Sequence, residues 1–196
     1  MLNSLSDAIE NLAASGAQVR MAAAAEIYRC GRDLAERATA SWSQDAELKR
    51  LLMDDRRVVT VGVAVRREMF ARIRAANGDA ELASIPPEQD AEEFELHFGE
   101  GVALDILTSK DAAGQGAIAR FLEKFGEGVQ QVEFECVDLE RATEILREYF
   151  GVKAVYPEAR AGAGRTTINF FLLPIPDEAG AGGKILIELY QKPPAP

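Results

Sequence analysis

Imidazole, thiol and long apolar runs are all scarce in this chain of 196 residues, which holds one histidine and two cysteines. No nucleophile elbow and no Cys–His pairing accompany the single imidazole, so triad hydrolase chemistry has no motif behind it. Cys30 and Cys136 stand far apart with neither CxxC nor metal-ligand spacing, so the sequence signals neither a disulfide framework nor a thiolate zinc site. Both are read as small buried hydrophobes. No apolar run approaches the ~20 residues that span a bilayer. The opening MLNSLSDAIENL lacks the basic and apolar regions of a signal peptide, so a cytoplasmic location is expected. Basic side chains are outnumbered 22 to 32, leaving a formal charge of −10. Self-repulsion then argues against nucleic acid or an anionic membrane as principal partner. GxxxxGK[ST] and a strand-borne GxGxxG are absent as well, which removes the usual phosphate cradles.

What is present begins with a helical front end. From Ser4 to Asp54 there is no proline, and apolar residues recur at three- and four-residue steps: Leu5, Ile9, Leu12, then Val19, Ile27, Leu34, then Leu48, Leu51, Leu52. Two or three amphipathic helices are predicted, with Gly16 as an interruption and Ser43 as the N-cap of a last helix from Gln44 to Met53. Residues 1–55 are read as this helical segment and 56–196 as a separate domain. The helices are expected to cover a sheet or build a homodimer interface.

Beyond Arg57 the pattern turns to alternation, and it occurs twice. Val58 to Val65 reads as a strand, Glu68 to Ala76 as a helix ended by Asn77-Gly78, and Phe94–Phe98 with Val102–Leu107 as a hairpin around glycines. In the second half Gln130 to Cys136 is the strand, Asp138 caps a helix that ends at Gly151, and Thr166–Leu172 pairs with Lys184–Tyr190. A short extra strand is expected within Ala80–Ile85 and again within Lys153–Tyr156. Each half is thus βαβββ, in modules of about 56–110 and 128–192. The predicted fold class is α+β, two βαβββ modules forming a cupped mixed sheet behind an N-terminal helical segment.

Strand alternation sorts the side chains by face. Val61, Val63 and Val65 share one face, with Thr60, Gly62 and Ala64 opposite. Val132, Phe134 and Cys136 share another, with Gln131, Glu133 and Glu135 opposite. Asp105 and Glu188 stand at matching places in the two return strands, each between apolar neighbours. A carboxylate centred in an apolar strand is costly unless paired, hydrogen-bonded or metal-bound. Finding one twice at the same place favours a site.

The stretch IARFLEKFGEGVQQVEFE at 118–135, followed by Asp138-Leu139-Glu140, resembles the methylmalonyl-CoA epimerases of the vicinal-oxygen-chelate superfamily. EARAGAG at 158–164, the closing strand KILIEL at 184–189 and Pro87-Glu88-Gln89 are similar to further motifs of that family. The resemblance implies a divalent metal held by one residue from each of four strands. Position by position these fall on Thr60, Asp105, Gln131 and Glu188, with both family histidines replaced. An acid–base glutamate falls on Glu88, and Glu188 would be the second such group, since epimerisation needs one on each face of the carbon. The implied chemistry is that of an isomerase or lyase, with proton abstraction next to a carbonyl and a metal-stabilised enolate. The alternative is a non-catalytic small-ligand binder that has lost its metal. An oxygen-only donor set suits harder ions, so the implied cofactor is Mg, Mn or Co held weakly, or none. Arg160 and Arg165, flanking a small-residue loop, and Glu133, beside Gln131, are the candidate substrate-binding residues. The expected ligand is an acyl thioester or a 2-oxo compound. Asp90 stands where the family has glycine, and His97 is assigned no ligand role.

Overall fold

A computed structural model describes residues 4–53, 59–86, 89–99, 101–111, 114–176 and 183–193. The chain divides into two compact units, Met1–Gly31 with Thr60–Gln130, and Arg32–Val59 with Gln131–Pro196. The front helices are therefore shared between the units, and each unit packs helices on a mixed sheet. The fold is α+β, as the alternation predicts.

In the first unit α1 (Leu5–Asn11) is capped by Ser4, whose Oγ accepts from Asp7 N at 3.2 Å. The interruption falls at Gly16, and α2 (Ala17–Ala38) starts next to it. The sheet has the order β2-β3-β1: β1 (Val59–Ala64) runs parallel to β3 (Val102–Thr108), and β2 (Glu92–Phe98) runs antiparallel to β3. Val61, Val63, Phe94, Leu104 and Ile106 are fully buried on the helix side. There Phe70 of α4 (Arg67–Ala76) packs edge-on against Phe94, with ring centroids 4.7 Å apart. Gly31 of α2 lies so close to this face that a Cβ would stand 2.5 Å from Val61 Cγ1. Only glycine permits that approach. Asn77 ties the layers together, donating to Leu12 O at 3.0 Å and accepting from Arg20 Nε at 3.1 Å. At one end of the other face, Ile118 and Leu122 of α5 (Ala117–Phe125) cluster with Ala64 and Leu107.

In the second unit the break after α2 is a 3-10 turn, Ala40–Gln44, with Trp42 buried. The cap of α3 (Ala46–Leu51) is Asp45, whose Oδ1 accepts from Leu48 N at 2.7 Å; the predicted cap, Ser43, instead donates to Ala40 O. Asp45 wins because the tight turn carries the helix start two residues on, and a carboxylate accepts there more strongly than a hydroxyl. The sheet has β4 (Gly128–Glu135) parallel to β7 (Lys184–Gln191), with β6 (Thr167–Pro174) antiparallel to β7 and the two-residue β5 (Arg160–Ala161) at its edge. α6 (Leu139–Phe150) is capped by Asp138 and closed by Gly151 at φ +64, as predicted. Its stripe Leu139, Ala142, Leu146 is buried, whereas Tyr149 is exposed and lies outside it.

The small extra strand shrinks in both units. In the first it is one backbone bond, Ala83 N to Glu93 O at 2.9 Å. In the second it is an isolated bridge, Ala154 to Phe171, beside the bond from Val155 N to Phe170 O at 2.7 Å. The repeat therefore survives even in its weakest element. Cys136 is buried as expected, its thiol pushed up to about 11 chiefly by burial, whereas Cys30 on the long helix is only half-buried, against the expectation of burial. Both are free thiols, in agreement with the reading that neither forms a disulfide.

Candidate functional site

The family resemblance assigns two metal positions to each unit. In the first, β1 carries Thr60 and β3 carries Asp105; Gly62 is registered with Asp105, and Thr60 with Ala103. Both side chains therefore leave the sheet on the face away from Val61 and Leu104. Both are nearly enclosed, Thr60 at 4% and Asp105 at 8% exposure. Glu95 of β2 stands directly opposite Asp105 in the register, and Glu93 shares that face two residues along. Burial, reinforced by the charge of Glu95, pushes the Glu93 carboxyl up to about 7. The sequence reading missed Glu93, although the alternation Glu93-Phe94-Glu95-Leu96 already sets it opposite the apolar face. His97 is exposed and lies 3.4 Å from Glu95.

Glu88 lies outside the described residues. The segment that follows it is firmly tied down. Asp90 accepts from Ser109 Oγ at 2.6 Å and from Asp111 N at 3.1 Å, and Lys110 Nζ donates to Gln89 O at 3.0 Å. The Ser109 hydroxyl, first among these partners, holds the Asp90 carboxyl below its ordinary range. A Cβ on Gly116 would stand 2.4 Å from Asp90 Oδ2, so the loop after β3 is shaped around this carboxylate. The departure from glycine at position 90 is thus a clamp between two loops.

The second unit brings three candidate residues together. Glu133 and Glu188 are registered partners on the parallel strands β4 and β7, and Gln131 sits on the same face two residues before Glu133. Gln131 Nε2 donates to Glu188 Oε2 at 2.9 Å and to Glu133 Oε1 at 3.1 Å. Gln131 is 7% exposed and Glu188 9%. Set this way, the amide presents its NH2 to one oxygen of each carboxyl group; turned over, it would set oxygen against oxygen.

On the same face Phe170 of β6 is registered opposite Glu188. Tyr156 packs edge-on against Phe170 at 5.9 Å between centroids, and the Arg160 guanidinium lies 3.7 Å from the centre of the Tyr156 ring. Tyr156 is fixed by the buried Asn169, which accepts from its N and donates to its carbonyl O at 3.4 and 3.2 Å. A continuous strip thus runs from a carboxylate–amide cluster over two aromatic rings to a cation. Arg165, the other predicted substrate residue, is exposed at φ +67 at the end of the short 3-10 turn Ala163–Arg165.

A divalent ion tests this donor set directly. The only imidazole in the chain is that of exposed His97, and Gln131 offers nitrogen rather than oxygen toward Glu188. Among the described residues no three of His, Cys, Asp and Glu gather as an ion-holding group. The arrangement does not fit an ion seated between Gln131 and Glu188.

No family model matches the chain, and no curated protein matches it. Solved structures do. The methylmalonyl-CoA epimerase of Mycobacterium tuberculosis is 31% identical, with the match covering 69% of this chain and 87% of that one at a TM-score of 0.53. The Streptomyces coelicolor methylmalonyl-CoA epimerase in complex with 2-nitronate-propionyl-CoA is 23% identical, covering 69% and 96% at 0.52. A methylmalonyl-CoA epimerase in complex with methylmalonyl-CoA and NH4+ is 24% identical, covering 69% and 94% at 0.52. The latter two share the fold. The repeated modules, with a carboxylate at the same place in each return strand, define a vicinal-oxygen-chelate protein, and the chain belongs to that superfamily. Within it, the chain is similar to the methylmalonyl-CoA epimerases. Among the described residues no helix is long and apolar enough to cross a membrane.

Proposed function

We propose that this protein binds an acyl thioester and moves the proton on the carbon next to its carbonyl, as an epimerase-type isomerase. The observation that carries the reading is Glu188, a buried carboxylate at the centre of the last strand in a chain 31% identical to a methylmalonyl-CoA epimerase. Glu188 accepts the α-proton. Gln131 fixes the orientation of that carboxylate by donating to one of its oxygens. Arg160, held over Tyr156, meets a carboxylate or phosphate of the ligand, and Phe170 and Tyr156 supply apolar surface between the two ends. An epimerase also needs a proton carrier on the other side of the carbon, the role the family resemblance gives to Glu88.

The test is exchange of the α-proton of methylmalonyl-CoA in deuterium oxide, followed by proton NMR. Exchange lost in Glu188→Gln while the thioester still binds supports the reading. Exchange that persists in Glu188→Gln sinks the assignment of the base. A second reading, a small-ligand binder without turnover, is favoured by one observation: the amide hydrogen bond already occupies one oxygen of Glu188, the carboxyl that would have to take the proton. Saturable thioester binding to the wild type with no exchange would establish that reading.

A further inference from the structure

We infer that the Gln131 side-chain amide occupies the role of a bound cation in this chain, making the cluster Glu133–Gln131–Glu188 a self-contained site that takes no divalent ion. The inference rests on family membership and local geometry, and stands apart from the activity proposed above.

Two carboxylates on registered positions of neighbouring strands repel each other unless something positive lies between them. In this cluster that place is taken by one nitrogen, Gln131 Nε2, which reaches Glu188 at 2.9 Å and Glu133 at 3.1 Å. An amide NH2 has two hydrogens, and two acceptors are offered to it. Both amide hydrogens thus have a carboxyl oxygen, and the cluster is largely enclosed, with Gln131 at 7% and Glu188 at 9% exposure. An ion entering there would have to displace the nitrogen, desolvate itself and turn the amide over. The replacement of the family's second histidine by glutamine is therefore more than the loss of a ligand. It substitutes a neutral, covalently tethered donor for an exchangeable cation.

The cluster predicts a reciprocal result. Gln131→Glu keeps the size of the side chain but exchanges the NH2 donor for another acceptor, leaving three carboxylates with a vacancy for positive charge. Thermal melting of the chelator-treated wild type should be unchanged by Mg, Mn, Co or Ni. Gln131→Glu should melt lower than wild type and recover as one of these ions is added, with a saturable, one-to-one calorimetric signal. Gln131→Met, which has no donor and only a weakly accepting sulfur, should melt lower and stay there with every ion. If Gln131→Glu does not fold alone, refolding it with and without Mn reads the same rescue. The inference is overturned if the wild type binds an ion stoichiometrically and loses it in Glu188→Gln. It is equally overturned if both Gln131 variants melt as the wild type does, because the amide would then bridge nothing. α-Proton exchange enters none of these readings, so failure here and failure of the proposed activity are separable.

Discussion

Glu93 offers a sharp test of how the first unit treats charge. Its carboxyl is shifted from 4.5 to about 7, first by burial and then by the charge of Glu95 on the same face of β2. Because the folded state holds the proton more tightly than the unfolded chain, stability is greatest below the unfolded value and falls as pH rises through about 7. At 1.36 kcal/mol per unit, the ionised form costs at most about 3 kcal/mol. Glu93→Gln removes that charge and keeps the shape. It should match the wild type near pH 4 and exceed it near pH 8 by about 2–3 kcal/mol, read from urea midpoints across the range. Glu95→Gln should reproduce only part of the gain, since it removes the smaller cause. Parallel pH profiles for wild type and Glu93→Gln, or a variant weaker than wild type at pH 8, would refute the reasoning.

Two further outcomes bear on the framework around the site. Gly31→Ala sets a methyl 2.5 Å from Val61, which is fully buried and branched at Cβ. Overpacking of about 1–3 kcal/mol against a helix-propensity gain of about 1 kcal/mol leaves a net loss of up to about 2 kcal/mol, seen as a lower melting temperature. Asp90→Ala removes the acceptor of the Asp111 amide and one of the two acceptors of the buried Ser109 hydroxyl, which keeps Asp111 O at 2.7 Å, a loss of about 1–3 kcal/mol. Ser109→Ala should cost less in the Asp90→Ala background than alone, since the two groups share one bond. The folded value of Asp90 is depressed, so its contribution is present above the unfolded value and lost as pH falls through the folded one; the gap to Asp90→Ala should close in acid.

Much of the architecture is legible in the sequence because period and turn chemistry agree within each module. The valines of β1 alternate, Asp138 and Gly151 bracket α6, and the glycines after Phe98 close the hairpin; each is a local rule that tertiary context leaves alone. The cap of α3 was misread for a physical reason. The five residues from Ser41 to Asp45 suit either a helix start or a 3-10 turn, and the structure forms the turn with Trp42 buried. The short strands were overdrawn because one bridge leaves almost no pattern in two or three residues.

At the candidate site, pattern placed Gln131, Glu133 and Glu188 on one face, and there the structure joins them. What pattern could not supply is direction. A glutamine at a ligand position reads equally as an oxygen donor to a metal or as a hydrogen-bond donor to carboxylates, and only the partners choose. Two anions lie within 3.1 Å of the same nitrogen, and that choice fixes the amide. The aromatic strip escaped for a similar reason: Arg160, Tyr156 and Phe170 share no sequence period, because they stand on a two-residue strand, a bend and β6. Site residues drawn from strand centres are readable by alternation, whereas those drawn from edges and bends are assembled only by the fold.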